Sequence, residues 1–131
     1  MKRIILVLSI VSVLFACKEE DLGSGTGLLE DGIWVEAKHR KDTLVFQSYE
    51  DGSTLLLFHR ERENRNGQRL PKVGSGPYLY ELGSGEISLY YTLSSNYHFD
   101  EYPFEQTGTK LKIGDFYEGT GSLKTFVQAN K

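Results

Sequence analysis

The chain has 131 residues, 15 basic and 18 acidic, giving a net charge of −3. That length corresponds to one domain, and the acidic balance excludes a general nucleic-acid binder, whose surface would have to face a polyanion.

In chain order, residues 1–16 stand apart. Lys2 and Arg3 form a short positive start, Ile4 through Phe15 is apolar except for Ser9 and Ser12, and Ala16 is small. Charge, apolar run and small residue in that order are those of an export signal, and about 12 apolar residues are too few to span a bilayer. The segment is therefore set aside from the fold as a signal peptide. Cys17 is the single cysteine, so no internal disulfide can form. Leu14-Phe15-Ala16-Cys17 resembles the bacterial lipobox, in which the cysteine is acylated and becomes the mature N-terminus. The resemblance implies lipidation of Cys17 and attachment to a lipid bilayer at the outer membrane. Each buried methylene contributes about 0.8 kcal/mol, so several acyl chains hold stably where one holds marginally. Acylation also removes the thiol from catalysis and metal binding. Without Lys2 and Arg3, 13 basic residues face 18 acidic ones, a mature charge of −5. The lipid, rather than charge, is then the anchor.

Residues 17–29 read as a lipidated tether, because the run KEEDLGSGTG (18–27) cannot bury enough apolar surface to order itself. Lys18, Glu19 and Glu20 resemble the surface-export signal of lipoproteins in some Gram-negative bacteria, with a solvated linker as the alternative. The resemblance implies exposure at the cell surface.

Residues 30–131 form the folded domain. Strands are expected at 32–37, 42–48, 54–62, 78–82, 86–93, 97–106, 110–113 and 123–128. The fifth alternates most cleanly, with Ile87, Leu89, Tyr91 and Leu93 on one face and Ser88, Tyr90, Thr92 and Ser94 on the other. Asp51-Gly52 and Gly83-Ser84-Gly85 supply turns. Pro103 argues for a sheet edge or a bulge. No sustained helical period follows residue 30. Short strands separated by glycine-rich breaks predict an all-β fold, a small antiparallel up-and-down barrel of about eight strands, with an open β-sandwich as the alternative. Closure removes exposed edges.

Gly32-Ile33-Trp34 matches the G-x-W signature of the lipocalin and calycin families, and the domain resembles the small lipocalin-like domains of bacterial lipoproteins. That resemblance implies that Gly32 and Trp34 close one barrel end. It also implies that a basic residue of the last strand packs on the tryptophan, Lys124 being the basic candidate there. The alternative is that Trp34 is an ordinary core aromatic.

The connection 59–76, HRERENRNGQRLPKVGSG, concentrates Arg60, Arg62, Arg65, Arg69 and Lys72. A basic loop suits a carboxylate, a sulfated glycan or an acidic protein surface, against a solvated hairpin tip as the alternative. Tyr90 falls on the face opposite Ile87 and Leu89 and is a candidate surface or mouth contact. His98 and Asp100 share a strand face, yet a metal site needs three or four converging ligands. No G-x-S-x-G elbow or phosphate loop is present, and Glu101 and Glu105 lack the cleft a glycosidase needs. The expectation is a binding protein rather than an enzyme, with no cofactor, no metal and no nucleic-acid partner. Its ligand is a small apolar or amphipathic molecule at the open barrel end. The alternative is a protein-interaction or inhibitor-like accessory subunit acting through the basic 60–76 loop.

Overall fold

The computed structural model describes residues 29, 30 and 32–129. The signal segment, Cys17 and Lys18, Glu19 and Glu20 lie outside the described residues. The elements are β1 (Ile33–Glu36), β2 (Thr43–Ser48), β3 (Thr54–His59), β4 (Arg62–Arg65), β5 (Gln68–Pro71), β6 (Gly76–Leu82), β7 (Glu86–Tyr91), β8 (Asp100–Thr107), β9 (Lys110–Gly114) and β10 (Leu123–Gln128). Eight of them close into an antiparallel barrel in the order β1-β10-β9-β8-β7-β6-β3-β2, while β4 and β5 pair with each other. The barrel is up-and-down, interrupted by the β4–β5 excursion between β3 and β6. The sandwich alternative falls away.

Period-two alternation sends one face of each barrel strand inward. Trp34 sits in register with Leu44 of β2 and Gln128 of β10. Among the described residues, thirteen buried apolar side chains, including Trp34, Phe46, Phe58, Ile87 and Phe126, make one cluster inside the barrel. An eight-stranded barrel is just wide enough for such side chains to fill, and these do.

The two ends differ. The turns 49–53, 83–85 and 108–109 lie at one end, together with the first described residues. There the Trp34 indole N–H donates to the Leu29 carbonyl at 2.9 Å, and Leu29 is fully buried. Gly32 lets β10 come close, since a β-carbon at that position would stand 2.8 Å from Gln128 Nε2. Lys124 lies four residues from Gln128 along β10, about 13 Å by strand rise. It therefore sits toward the other end, and the Trp34 indole bonds Leu29 in place of the Lys124 contact that the family resemblance implies. The longer connections, 37–42, 60–75, 92–99 and 115–122, all gather at the opposite, open end.

Several departures from the sequence expectation stand out. β8 begins at Asp100 rather than at 97, which leaves Tyr97, His98 and Phe99 in the preceding connection and takes His98 off the strand face it was expected to share with Asp100. β7 stops at Tyr91, because the chain turns there: Thr92 still donates in register to the Pro77 carbonyl, but the Ser94 N–H folds back onto the Tyr91 carbonyl, and Leu93 is left 70% exposed in the turn. The expected 54–62 strand breaks at Arg60, and a separate two-stranded arm replaces the rest of the long loop. Pro103 is on a barrel strand rather than an edge. Residues 100–103 of β8 pair with β7 and residues 104–107 pair with β9, so Pro103, which has no N–H to give, stands where pairing changes sides.

Candidate functional site

Arg60 leaves the end of β3 and turns back over the open barrel mouth, its side chain 6% exposed. Its Nη2 donates to Glu118 Oε1 at 2.8 Å and its Nη1 to the Val73 carbonyl at 2.6 Å. Nε lies 3.5 Å from Asp42 Oδ2, an ion pair without an aligned hydrogen bond. The guanidinium carbon is 4.6 Å from the Tyr117 ring centroid, and the Lys124 ammonium is 5.5 Å from the same ring. Lys124 shares its face of β10 with Phe126, two residues on, and donates to Glu118 Oε2 at 3.0 Å. Glu118 thus bridges two cations held at one tyrosine. The hydrogen bond from Lys124 and the charge of Arg60 hold the Glu118 carboxyl below the usual carboxylate range, and the same bond raises the Lys124 ammonium.

The connection that carries Tyr117 and Glu118 is folded by Asp115. This buried carboxylate accepts the backbone N–H groups of Tyr117, Glu118 and Thr120 and the Thr120 hydroxyl. Burial alone would raise it, but these donors outweigh burial and lower it. So anchored, Phe116 and Tyr117 pack on Phe58 with ring centroids at 5.0 and 4.6 Å, and Phe116 meets Tyr78 at 5.2 Å. Burial pushes the phenols of Tyr78 and Tyr117 up. The end that carries the longer connections, expected from the sequence to be open, is thus stoppered by aromatic rings.

A polar cleft of about 840 Å³ runs beside this stopper and includes Glu36, Lys41, Glu61 and Lys72 in its walls. Its charges largely satisfy one another. Lys41 and Lys72 reach Glu61 at 3.0 and 3.4 Å, and Glu36 accepts the backbone N–H groups of Lys38, His39 and Arg40. Burial works against the charged form of Glu36, and the three donors still hold its carboxyl low.

The remaining cations lie on the arm. Asn66 and Gly67 take positive φ values of 52° and 80°, the two-residue turn that suits a right-twisted hairpin. The register puts Glu63, Arg65, Gln68 and Leu70 on one face and Arg62, Asn64, Arg69 and Pro71 on the other. Arg65 is tied to Glu63 at 3.1 Å and donates to the Pro71 carbonyl. Arg62 and Arg69 are exposed, and neither has an ion pair or hydrogen bond among the described residues. At the foot of the arm, a groove of about 340 Å³ includes Leu57, Phe58, Arg62, Pro71 and Pro77.

Of the five cations singled out in the sequence, the structure therefore buries Arg60 in the mouth. It ties Arg65 within the arm, leaves Lys72 on Glu61 at the arm's foot, and presents Arg62 and Arg69 together. Tyr90 faces outward on β7, its ring 4.7 Å from Tyr97 and 5.7 Å from Phe99. His98 lies 3.3 Å from Asp100 on an exposed surface. Among the described residues, no group of three metal-ligating side chains converges. Sequence reasoning missed the ordered arm, although Asn66-Gly67 was its signal, and missed Asp115 as organiser of the mouth. No family model, curated protein or solved structure matches this chain.

Proposed function

We propose that the chain is a membrane-anchored lipoprotein with a lipocalin-like barrel, held at the outer membrane by acyl chains on Cys17 and exposed at the cell surface. It acts as an interaction module rather than an enzyme. Its partner is an acidic protein surface or a sulfated glycan, received on the basic face of the β4–β5 arm. The observation that carries this reading is the pair Arg62 and Arg69, two exposed guanidinium groups on one face with no counter-charge among the described residues. Guanidinium forks match carboxylates and sulfates in geometry as well as charge. The side-chain-filled interior supports this reading over a carrier of apolar cargo, which would have to displace the core. Leu29 lies at the closed end, so a tether on the N-terminal side leaves the arm pointing away from its attachment.

The test uses detergent-solubilised full-length protein on heparin–agarose and on immobilised poly-glutamate. Retention at low salt, lost in the double variant Arg62→Glu/Arg69→Glu, is the expected result. Equal elution of wild type and variant from both matrices would sink the assignment. The anchor is checked separately, because Cys17→Ser is expected to move the protein from the detergent phase to the aqueous phase in Triton X-114 partition.

A second reading rests on the groove at the arm's foot, which sets Leu57, Phe58 and Pro77 beside the Arg62 guanidinium. It suits a small anionic amphiphile. Native mass spectrometry of protein drawn from membranes would favour it by finding a bound acyl anion that Arg62→Glu abolishes.

A further inference from the structure

On a different part of the open end, Tyr90, Tyr97 and Phe99 make a surface that the arm does not use. The three ring centroids lie 4.7, 5.7 and 5.7 Å apart, with interplanar angles of 53°, 42° and 83°. Tyr97 is 75% exposed. The rings are pre-set by their own connection. The Tyr90 hydroxyl is 3.4 Å from the Ser94 carbonyl, the Ser94 N–H donates to the Tyr91 carbonyl at 2.9 Å, and the Asn96 N–H donates to Ser94 Oγ at 3.2 Å.

We infer that this cluster is a stacking platform for a neutral sugar ring of an extended glycan. A pyranose offers an apolar C–H face with a rim of hydroxyls. The negative face of an aromatic ring attracts polarised C–H groups, and hydroxyls need donors and acceptors around that face. Both requirements are met together here, because exposed Ser95, Asn96, His98 and Asp100 flank Tyr97 and Phe99 along the same connection.

Charge selects against the other users of aromatic platforms. Between Lys72 and Lys110 the chain carries no lysine or arginine, and it carries Glu81, Glu86, Asp100, Glu101 and Glu105. Single-stranded nucleic acid pairs its stacking platforms with a basic groove, and an anionic bilayer likewise attracts lysine and arginine. The one cation that His98 can supply lies 3.3 Å from Asp100. The ligand is therefore uncharged. The platform also lies at the end opposite Leu29, facing away from the N-terminal attachment. Pre-ordering of the rings lowers the entropy lost on binding.

The experiment is affinity electrophoresis of full-length protein in native gels containing mixed-linkage β-glucan, arabinoxylan, galactomannan or dextran. Retardation by at least one of them relative to a polysaccharide-free gel is expected. Tyr97→Ala should raise the dissociation constant by about tenfold or more, in line with the loss of one stacked ring. Tyr97→Phe keeps the ring and should keep retardation, as should Arg62→Glu/Arg69→Glu, so this site fails or stands independently of the arm. Tyr97 is largely exposed, so its variants should fold, which circular dichroism verifies. No retardation by any of the four polysaccharides, or unchanged retardation of Tyr97→Ala, overturns the inference.

Discussion

Arg60 illustrates how a residue type misleads when its surroundings are remote in sequence. In the sequence it is one of five cations in a polar stretch, and its burial depends on Tyr117 and Glu118, more than fifty residues away. Arg60→Ala should cost about 3 kcal/mol by urea denaturation, because it leaves Asp42 and Glu118 without their guanidinium, whereas Arg62→Ala should stay within about 0.5 kcal/mol. Asp115 governs the response to acid. Its carboxyl is lowered in the folded state, so the stability it contributes is present above the unfolded value and is lost as pH falls through the folded one. Glu36 and Glu118 are shifted in the same direction. The melting temperature should be level near neutrality and fall below about pH 4, where unfolded carboxylates begin to hold protons. Asp115→Ala should lower stability at neutral pH by about 2 kcal/mol, by stranding the N–H donors it accepts, and should flatten the acid limb without abolishing it. Thermal melts across the pH range check both. Nothing local announced Asp115. An aspartate before an aromatic pair is ordinary in sequence, and its role appears once 116–120 curls around it.

Among elements, the strands were legible where apolar alternation was strong. β10 runs over the expected 123–128, and β7 departs only at its end, where the Ser94 N–H folds back onto the Tyr91 carbonyl one rung after Thr92 meets Pro77. The arm was illegible for the opposite reason. Arg62–Arg65 and Gln68–Pro71 carry no apolar alternation, so only the Asn66-Gly67 pair marked them. Since β4 and β5 share no ladder with the barrel, replacing 62–71 by a short Gly-Ser linker should shift the melting temperature by less than about 5 °C. The same replacement should abolish retention on heparin. A collapse of the barrel in this variant would show that the arm is part of the fold.

At the level of the whole molecule, eight short strands and glycine breaks pointed to closure, and the barrel is closed. How the interior is filled was not readable, because it depends on which inward faces meet across the barrel. Trp34 shows the consequence, being fully buried and bonded to Leu29 where the chain enters β1. Trp34→Ala should cost about 3–5 kcal/mol, measured by chemical unfolding. The position of that tryptophan also has a mechanical meaning. A pull on the N-terminal side reaches the barrel at Leu29 and runs along β1, which is laddered to β10 through Trp34–Glu36 and to β2 through Ile33–Val35. Ladder bonds lie across the strand axis, so such a load shears both ladders at once instead of peeling them one bond at a time. The large indole just behind the loading point acts as a stop-knot. A load entering there is taken up by β1 and its two ladders, and not by the β4–β5 arm or the 92–99 connection.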